Sequence, residues 1–192
     1  MFTFENLSFR YRDFLFEGYN DHISDPKIGI VGKNGSGKTT TLRLLDGQLH
    51  PQEGAVRVDG STYLVDFELR RYRHFTIDDM IALCRPLASF DTSRVDALVA
   101  ALELTDYLAL PIGELSKGVT KKVSLLLGLM ATSDVLLVDE PFESIDAESN
   151  ANLIHTLRSA DRGLVVVSHD VDHLRACVDV LYRVEGRKLV RQ

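Results

Sequence analysis

The residues most able to do chemistry form the run Gly32-Lys33-Asn34-Gly35-Ser36-Gly37-Lys38-Thr39, which fits the pattern G-x-x-x-x-G-K-[ST] at every fixed position. Glycines at this spacing let successive backbone N–H groups turn inward on a polyphosphate, and a helix starting at the end of the run adds its partial positive charge. Gly32, Asn34, Gly35, Ser36 and Gly37 would line the phosphates with Thr40, Lys38 would reach the β- and γ-phosphates, and the Thr39 hydroxyl would ligate Mg²⁺. A magnesium–nucleotide site also needs a carboxylate for the metal and a group that activates the attacking water. Asp139 suits the metal and Glu140, one residue on, suits the base. His169 is placed to contact the γ-phosphate and to orient the water or the base.

These residues need a scaffold that brings distant loops to one edge. Ile28-Gly29-Ile30-Val31 is a short apolar run of the kind a buried parallel strand requires, and Thr39 to Asp46 reads as a helix stopped by Gly47. Val135-Leu136-Leu137-Val138 runs into Asp139-Glu140, and Leu164-Val165-Val166-Val167-Ser168 runs into His169-Asp170. Helices are expected over 147–160 and 171–177, with strands over 179–184 and 187–190. Alternation of apolar strands with helices implies a mainly parallel sheet covered on both faces, with ligands at the carboxyl ends of its strands. Residues 2–9 and Phe14-Leu15-Phe16 read as edge strands, and Asp59-Gly60 between Ala55–Val58 and Ser61–Val65 reads as a hairpin turn. From Asp66 to Ala131 the character turns helical: Thr76 caps a helix through Leu83, Thr92 or Ser93 one through Leu104, and Ser116 one through Ala131. The expected architecture is α/β: a P-loop NTPase with a mainly parallel core sheet, an N-terminal antiparallel β section and an inserted helical lobe. It reads as a single domain over 1–192, with its core at about 1–65 and 132–192 and its lobe at about 66–131.

Bulk properties narrow the partners. A net charge of −6 over 192 residues provides no basic field for collecting nucleic acid, so none is expected as a partner. Cys84 and Cys177 are far apart and lack a ligand pattern, which suits a reducing compartment. The N-terminus shows no secretory signal, and no apolar run approaches membrane-spanning length, so any membrane association is expected to run through a partner.

Taken together, the phosphate-binding loop, Leu115-Ser116-Lys117-Gly118-Val119, Val138-Asp139-Glu140-Pro141, Ser144-Ile145-Asp146 and Ser168-His169-Asp170 resemble, in that order, the nucleotide-binding subunit of an ABC transporter. The resemblance spans nearly the whole chain. It implies two ATP molecules held between two subunits in a head-to-tail dimer, either a homodimer or a pairing with a similar ATPase subunit. Ser116 and Gly118 of one subunit would act on the γ-phosphate bound to the other, with Lys117 either adding charge there or pointing into solvent. Asp146 resembles the residue that communicates across that interface, and Tyr11 is similar in placement to the aromatic that stacks on adenine, its alternative being an ordinary edge-strand tyrosine. The resemblance further implies integral membrane partner subunits and a place on the inner face of the cell membrane.

Two departures stand out. Lys117 and Val119 replace residues of the usual Leu-Ser-Gly-Gly-Gln signature, and the Leu-Ser-Lys-Gly form resembles ABC-2-type exporter subunits. The glutamine that relatives carry before the helical lobe is missing, leaving Asp66 or Glu68 to take its place near the metal. The function the resemblance implies is therefore an ATP-binding and ATP-hydrolysing subunit that powers export, with import the lesser alternative, through separate membrane subunits. The alternatives are a nucleotide-gated, weakly hydrolysing module and a soluble ABC-type ATPase.

Overall fold

The structure, a computed structural model, describes residues 1–192. The chain divides into two compact units, one made of Met1–Leu64, Asp134–Pro141 and Asp161–Gln192, the other of Val65–Ser133 and Phe142–Ala160.

The first unit holds nine strands in two sheets. In the first sheet, β1 (Phe2–Arg10) lies between β2 (Phe14–Ile23) and β4 (Glu53–Val58), antiparallel to both. β1 is thus a central strand, not the edge strand its sequence suggested. Phe2, Phe4, Leu7 and Phe9 are all buried, and register shifts along β1 explain why its alternation is imperfect. The second sheet runs β5-β6-β7-β3-β8-β9. Its members are β3 (Lys27–Val31), β5 (Thr62–Leu64), β6 (Val135–Asp139), β7 (Gly163–Ser168), β8 (Val180–Glu185) and β9 (Lys188–Arg191). All pairings are parallel except β8 with β9. The middle strands are buried nearly throughout, as the apolar runs require. α1 (Lys38–Leu45) packs on β6 and β7, and α6 (Val171–Cys177) packs on β3, β7 and β8. Phe2 and Phe16 of one sheet share a hydrophobic cluster with Ile28, Leu137 and Val165 of the other.

The Asp59-Gly60 hairpin does not form, because β4 pairs with β1 while β5 pairs with β6 in the other sheet. The turn is held from outside instead. Asp59 N–H donates to the Met1 carbonyl, and the Asp134 carboxylate accepts from Ser61 N–H at 2.7 Å and from Ser61 Oγ at 2.8 Å. A turn that would locally favour a hairpin is used to pass the chain from one sheet to the next.

The second unit is helical. α2 (Ile77–Cys84) starts in a capping box between Thr76 and Asp79. α4 (Lys117–Met130) is capped by Ser116, whose Oγ accepts from Val119 N–H. α5 (Ala147–Ser159) is capped by Asp146, which accepts from Ser149 N–H at 2.9 Å. α3 (Val95–Ala101) is shorter than its sequence suggested and is capped by neither Thr92 nor Ser93. Asp91 draws Ser93 N–H into a local turn, and Glu103 adopts φ +57, a left-handed conformation that ends the helix before Leu104.

Candidate functional site

In the first unit the sheet places its reactive residues on three strand ends. β3 leads through residues 32–37 into α1, β6 ends at Asp139 with Glu140 next, and β7 ends at Ser168 with His169 next. β7 lies between β3 and β6, so His169 emerges between the glycine loop and the two carboxylates. Lys38 is buried at the start of α1. Its ammonium donates to the Gly32 carbonyl at 2.9 Å and lies 3.3 Å from Glu140 Oε1. Glu140 Oε2 accepts from Ser168 Oγ at 2.9 Å, from His169 N–H at 3.3 Å, and lies 3.0 Å from His169 Nδ1. Glu140 itself has φ +47, rare for a non-glycine residue and found where surrounding contacts hold a functional side chain in place. Ser168 was legible only as part of the Ser-His-Asp run; its bond to Glu140 is a finding of the structure.

Asp139 Oδ2 accepts from Thr39 Oγ1 at 2.5 Å, whereas Oδ1 is buried with no hydrogen-bond partner among the protein's own groups. Burial pushes the Asp139 carboxyl above its ordinary range and the Glu140 charge adds to this, against the Thr39 bond and the charges of Lys38 and Arg43. Ser36 Oγ is likewise buried without a protein partner. Two oxygens in such surroundings suit a phosphate and a hydrated divalent cation. Mg²⁺ keeps most of its waters and takes few ligands from a protein, and the Thr39 hydroxyl and Asp139 carboxylate are groups of the type it takes. No group of three His, Cys, Asp or Glu side chains stands close enough together to hold a metal ion by itself.

An open cleft of about 840 Å³ runs along this edge, lined by Asn34 to Thr40, Asp139 and Glu140, and extends to Tyr11, Phe14 and Leu15. Tyr11 lines the cleft and is 68% exposed, its ring at a right angle to that of Phe9. Such exposure is what a stacking aromatic needs. Arg12, Phe14 and Leu15 were not anticipated as lining residues, because nothing in their local pattern marks them. Gly37 explains part of the loop: its φ is +96, and a Cβ there would overlap Leu15 Cδ1. Gly37→Ala should therefore weaken Mg-ATP binding about tenfold, the scale of the strain in one misplaced backbone unit. Equilibrium titration with a fluorescent nucleotide measures this, and an unchanged Kd would show that the loop absorbs the methyl group.

The remaining expected residues sit in the second unit. Asp66 accepts from Glu68 N–H and lies 3.9 Å from Arg71. Ser116 caps α4, and Asp146 caps α5, with Ser149 N–H holding its carboxyl below the ordinary range. Gly118 lies so near the Ser144 carbonyl that a Cβ would stand 2.6 Å from that oxygen. Lys117 lines a separate cavity of about 650 Å³ with Phe67, Arg70, Arg73 and Lys121.

A family model described as ABC transporter matches residues 23–143, more than half of the chain. An uncharacterized ABC transporter ATP-binding protein of Methanocaldococcus jannaschii is 29% identical over 180 residues, covering 90% of this chain and 67% of that one. Methionine import ATP-binding protein MetN 2 of Pseudomonas aeruginosa is 30% identical over 190 residues, covering 86% of this chain but only 57% of its own length. Among solved structures, a dimeric bacterial ABC transporter cassette superposes with a TM-score of 0.84 at 19% identity, covering 100% of this chain and 97% of that one. That likeness speaks to the fold.

Proposed function

This chain belongs to the ABC transporter family as an ATP-binding ATPase, and from that premise we propose that it hydrolyses Mg-ATP within a head-to-tail pair of cassettes to drive export through separate membrane subunits. The observation that carries the reading is Glu140, held at the mouth of the phosphate-binding loop with Lys38 on one carboxylate oxygen and His169 on the other.

In this reading the phosphates take Lys38, and the loop's N–H groups and Ser36 Oγ bind around them. Release from Lys38 leaves Glu140 to accept the proton of the attacking water, while His169 and Ser168 fix its orientation. Thr39 and Asp139 would hold Mg²⁺, which supplies positive charge against the developing negative charge of the phosphates. Tyr11 offers its exposed ring to adenine. Ser116 and the N–H groups at the start of α4 act on the partner's γ-phosphate, Lys117 adds a cation beside them, and Asp146 faces the same interface.

The likeness to ATP-binding proteins of transporters supports a pore in other chains, with this subunit on the cytoplasmic face beside them. No helix is long and apolar enough to cross a membrane. The cavity lined by Phe67, Arg70 and Arg73 has the mixed apolar and cationic walls that suit a docking helix of such a chain. Export rests on the Leu-Ser-Lys-Gly signature, and the methionine relative's name states import for that protein. Loss of this subunit from its cell should raise, not lower, the internal level of the transported compound.

The direct test is turnover against protein concentration. If each site is completed by a second molecule, the rate of Mg-ATP hydrolysis should rise more steeply than linearly, and EDTA should abolish it. A strictly linear rate would overturn the paired reading. ATP binding without turnover, even with the membrane subunits added, would overturn the ATPase reading in favour of a nucleotide-gated module.

A further inference from the structure

The second unit carries a polar network that nucleotide binding does not use. It joins α4 to α5 along one face. Gly118, Lys121 and Lys122 stand three and four residues apart, so they point the same way from the helix. Each meets the segment that enters or begins α5. Gly118 packs against the Ser144 carbonyl, and Lys121 Nζ donates to the Glu143 carbonyl at 2.9 Å. Lys122 Nζ donates to Ser149 Oγ at 2.8 Å and to Glu103 Oε2 at 2.6 Å.

Glu103 closes the network. Its Oε2 also accepts from Ser149 Oγ at 2.6 Å, and its Oε1 accepts from Asn152 Nδ2 at 2.8 Å. Lys122 with Ser149 and Asn152 holds the Glu103 carboxyl below the ordinary range. Lys122 is buried, and its charge in that setting requires an anionic partner. Glu103 is held at φ +57, which a glutamate adopts only when surrounding contacts determine it. Ser149 is the junction, because its backbone N–H is the donor that fixes Asp146 while its hydroxyl lies between Lys122 and Glu103.

We infer that Glu103, Lys122 and Ser149 form a clasp that locks the Ser116 end of α4 to the Asp146 end of α5, so that both loops reach the partner's nucleotide as one rigid body. These are positioning residues, and the inference rests on the paired-cassette reading. The loops need no clasp to bind ATP in their own subunit, since the phosphate-binding loop belongs to the other unit. The clasp therefore acts on pairing and turnover and leaves the first binding step alone.

The test uses Glu103→Gln and Ser149→Ala, each in the full chain and each also combined with Glu140→Gln. The measurements are nucleotide Kd, the Tm of the free chain, kcat, and the protein concentration at half-dimerisation with ATP by light scattering. Expected is an unchanged nucleotide Kd, a kcat lower by about tenfold, and a half-dimerisation concentration higher by about tenfold, the scale of coupling between packed elements. A purely structural role would lower Tm without separating binding from pairing. If Glu103→Gln fails to fold, Ser149→Ala, which removes one hydroxyl, decides alone. Dimerisation and kcat in the variants equal to those of the parent chain would overturn the clasp only. A parent chain that neither pairs nor turns over would overturn both the clasp and the reading beneath it.

Discussion

Glu140→Gln should abolish steady-state hydrolysis while leaving a chain that binds ATP and collects as a stable pair. A general base contributes about 10²–10⁴-fold to a proton-transfer step, and turnover should fall by at least the lower figure. The amide keeps an oxygen for Ser168 Oγ and His169 N–H, so the strand ends stay in place. It removes the negative charge beside Lys38, however. In the free protein that ammonium sits 3.3 Å from Glu140 and is almost fully buried, so incoming phosphate must exchange one charged partner for another. With glutamine there the exchange disappears, and Mg-ATP should bind at least as tightly as to the parent. Closure would then proceed without the chemical step that reverses it. Phosphate release assays and size measurement with ATP check both halves. Turnover within threefold of the parent would move the base elsewhere; loss of turnover without pairing would leave Glu140 as base and remove the two-subunit site.

The parts of this site that could be read from the sequence are those where chemistry and local structure coincide. The glycine loop, the apolar run before Asp139 and the one before His169 each carry their own strand signal and end at their own reactive residue. A parallel sheet then leaves little choice about where those ends go. What escaped depends on contacts between distant residues. Asp59-Gly60 has the local preference of a hairpin, but β5 pairs with β6, whose residues lie far along the chain, and Asp134 fixes the turn from there. β1 reads as an edge strand because its residues alternate, yet it is paired on both sides, with register shifts along both pairings. The end of α3 is set at Glu103, whose left-handed backbone goes with bonds to Lys122, Ser149 and Asn152. No periodicity reports such a bond. The same holds for Ser168, a residue that looks like a strand terminus and turns out to hold Glu140.

The buried carboxylate beside Thr39 yields the opposite pairing of effects. Asp139→Asn should make the nucleotide-free chain more stable and the enzyme much slower. Asparagine keeps the oxygen that accepts from Thr39 Oγ1 and discards the charge whose burial is the leading cause of the raised pKa. A carboxyl with a folded-state pKa above the unfolded value of 3.8 takes up a proton on folding. It supports the fold below that unfolded value, and the support is lost as pH rises through the higher folded one. At neutral pH the parent therefore carries a charged, desolvated group that the variant lacks, and the variant's Tm should be higher. Each kcal/mol of relief corresponds to about 2–4 °C for a chain of this size. The advantage should shrink as pH is lowered and vanish below the unfolded pKa, where both side chains are neutral. Hydrolysis should move the other way, falling about 10–100-fold with a higher Mg²⁺ requirement, because a neutral amide is a poor partner for the metal's water shell. Thermal melts from about pH 3 to 8, set beside Mg²⁺ titrations of activity, separate the two effects. A variant less stable than its parent at pH 7 would show that the Asp139 charge is compensated where it sits. A stability gain with unchanged activity would take Asp139 out of the metal site. The expected combination would tie the cost of burying a charge in the sheet to the carboxylate proposed to serve the magnesium–nucleotide complex.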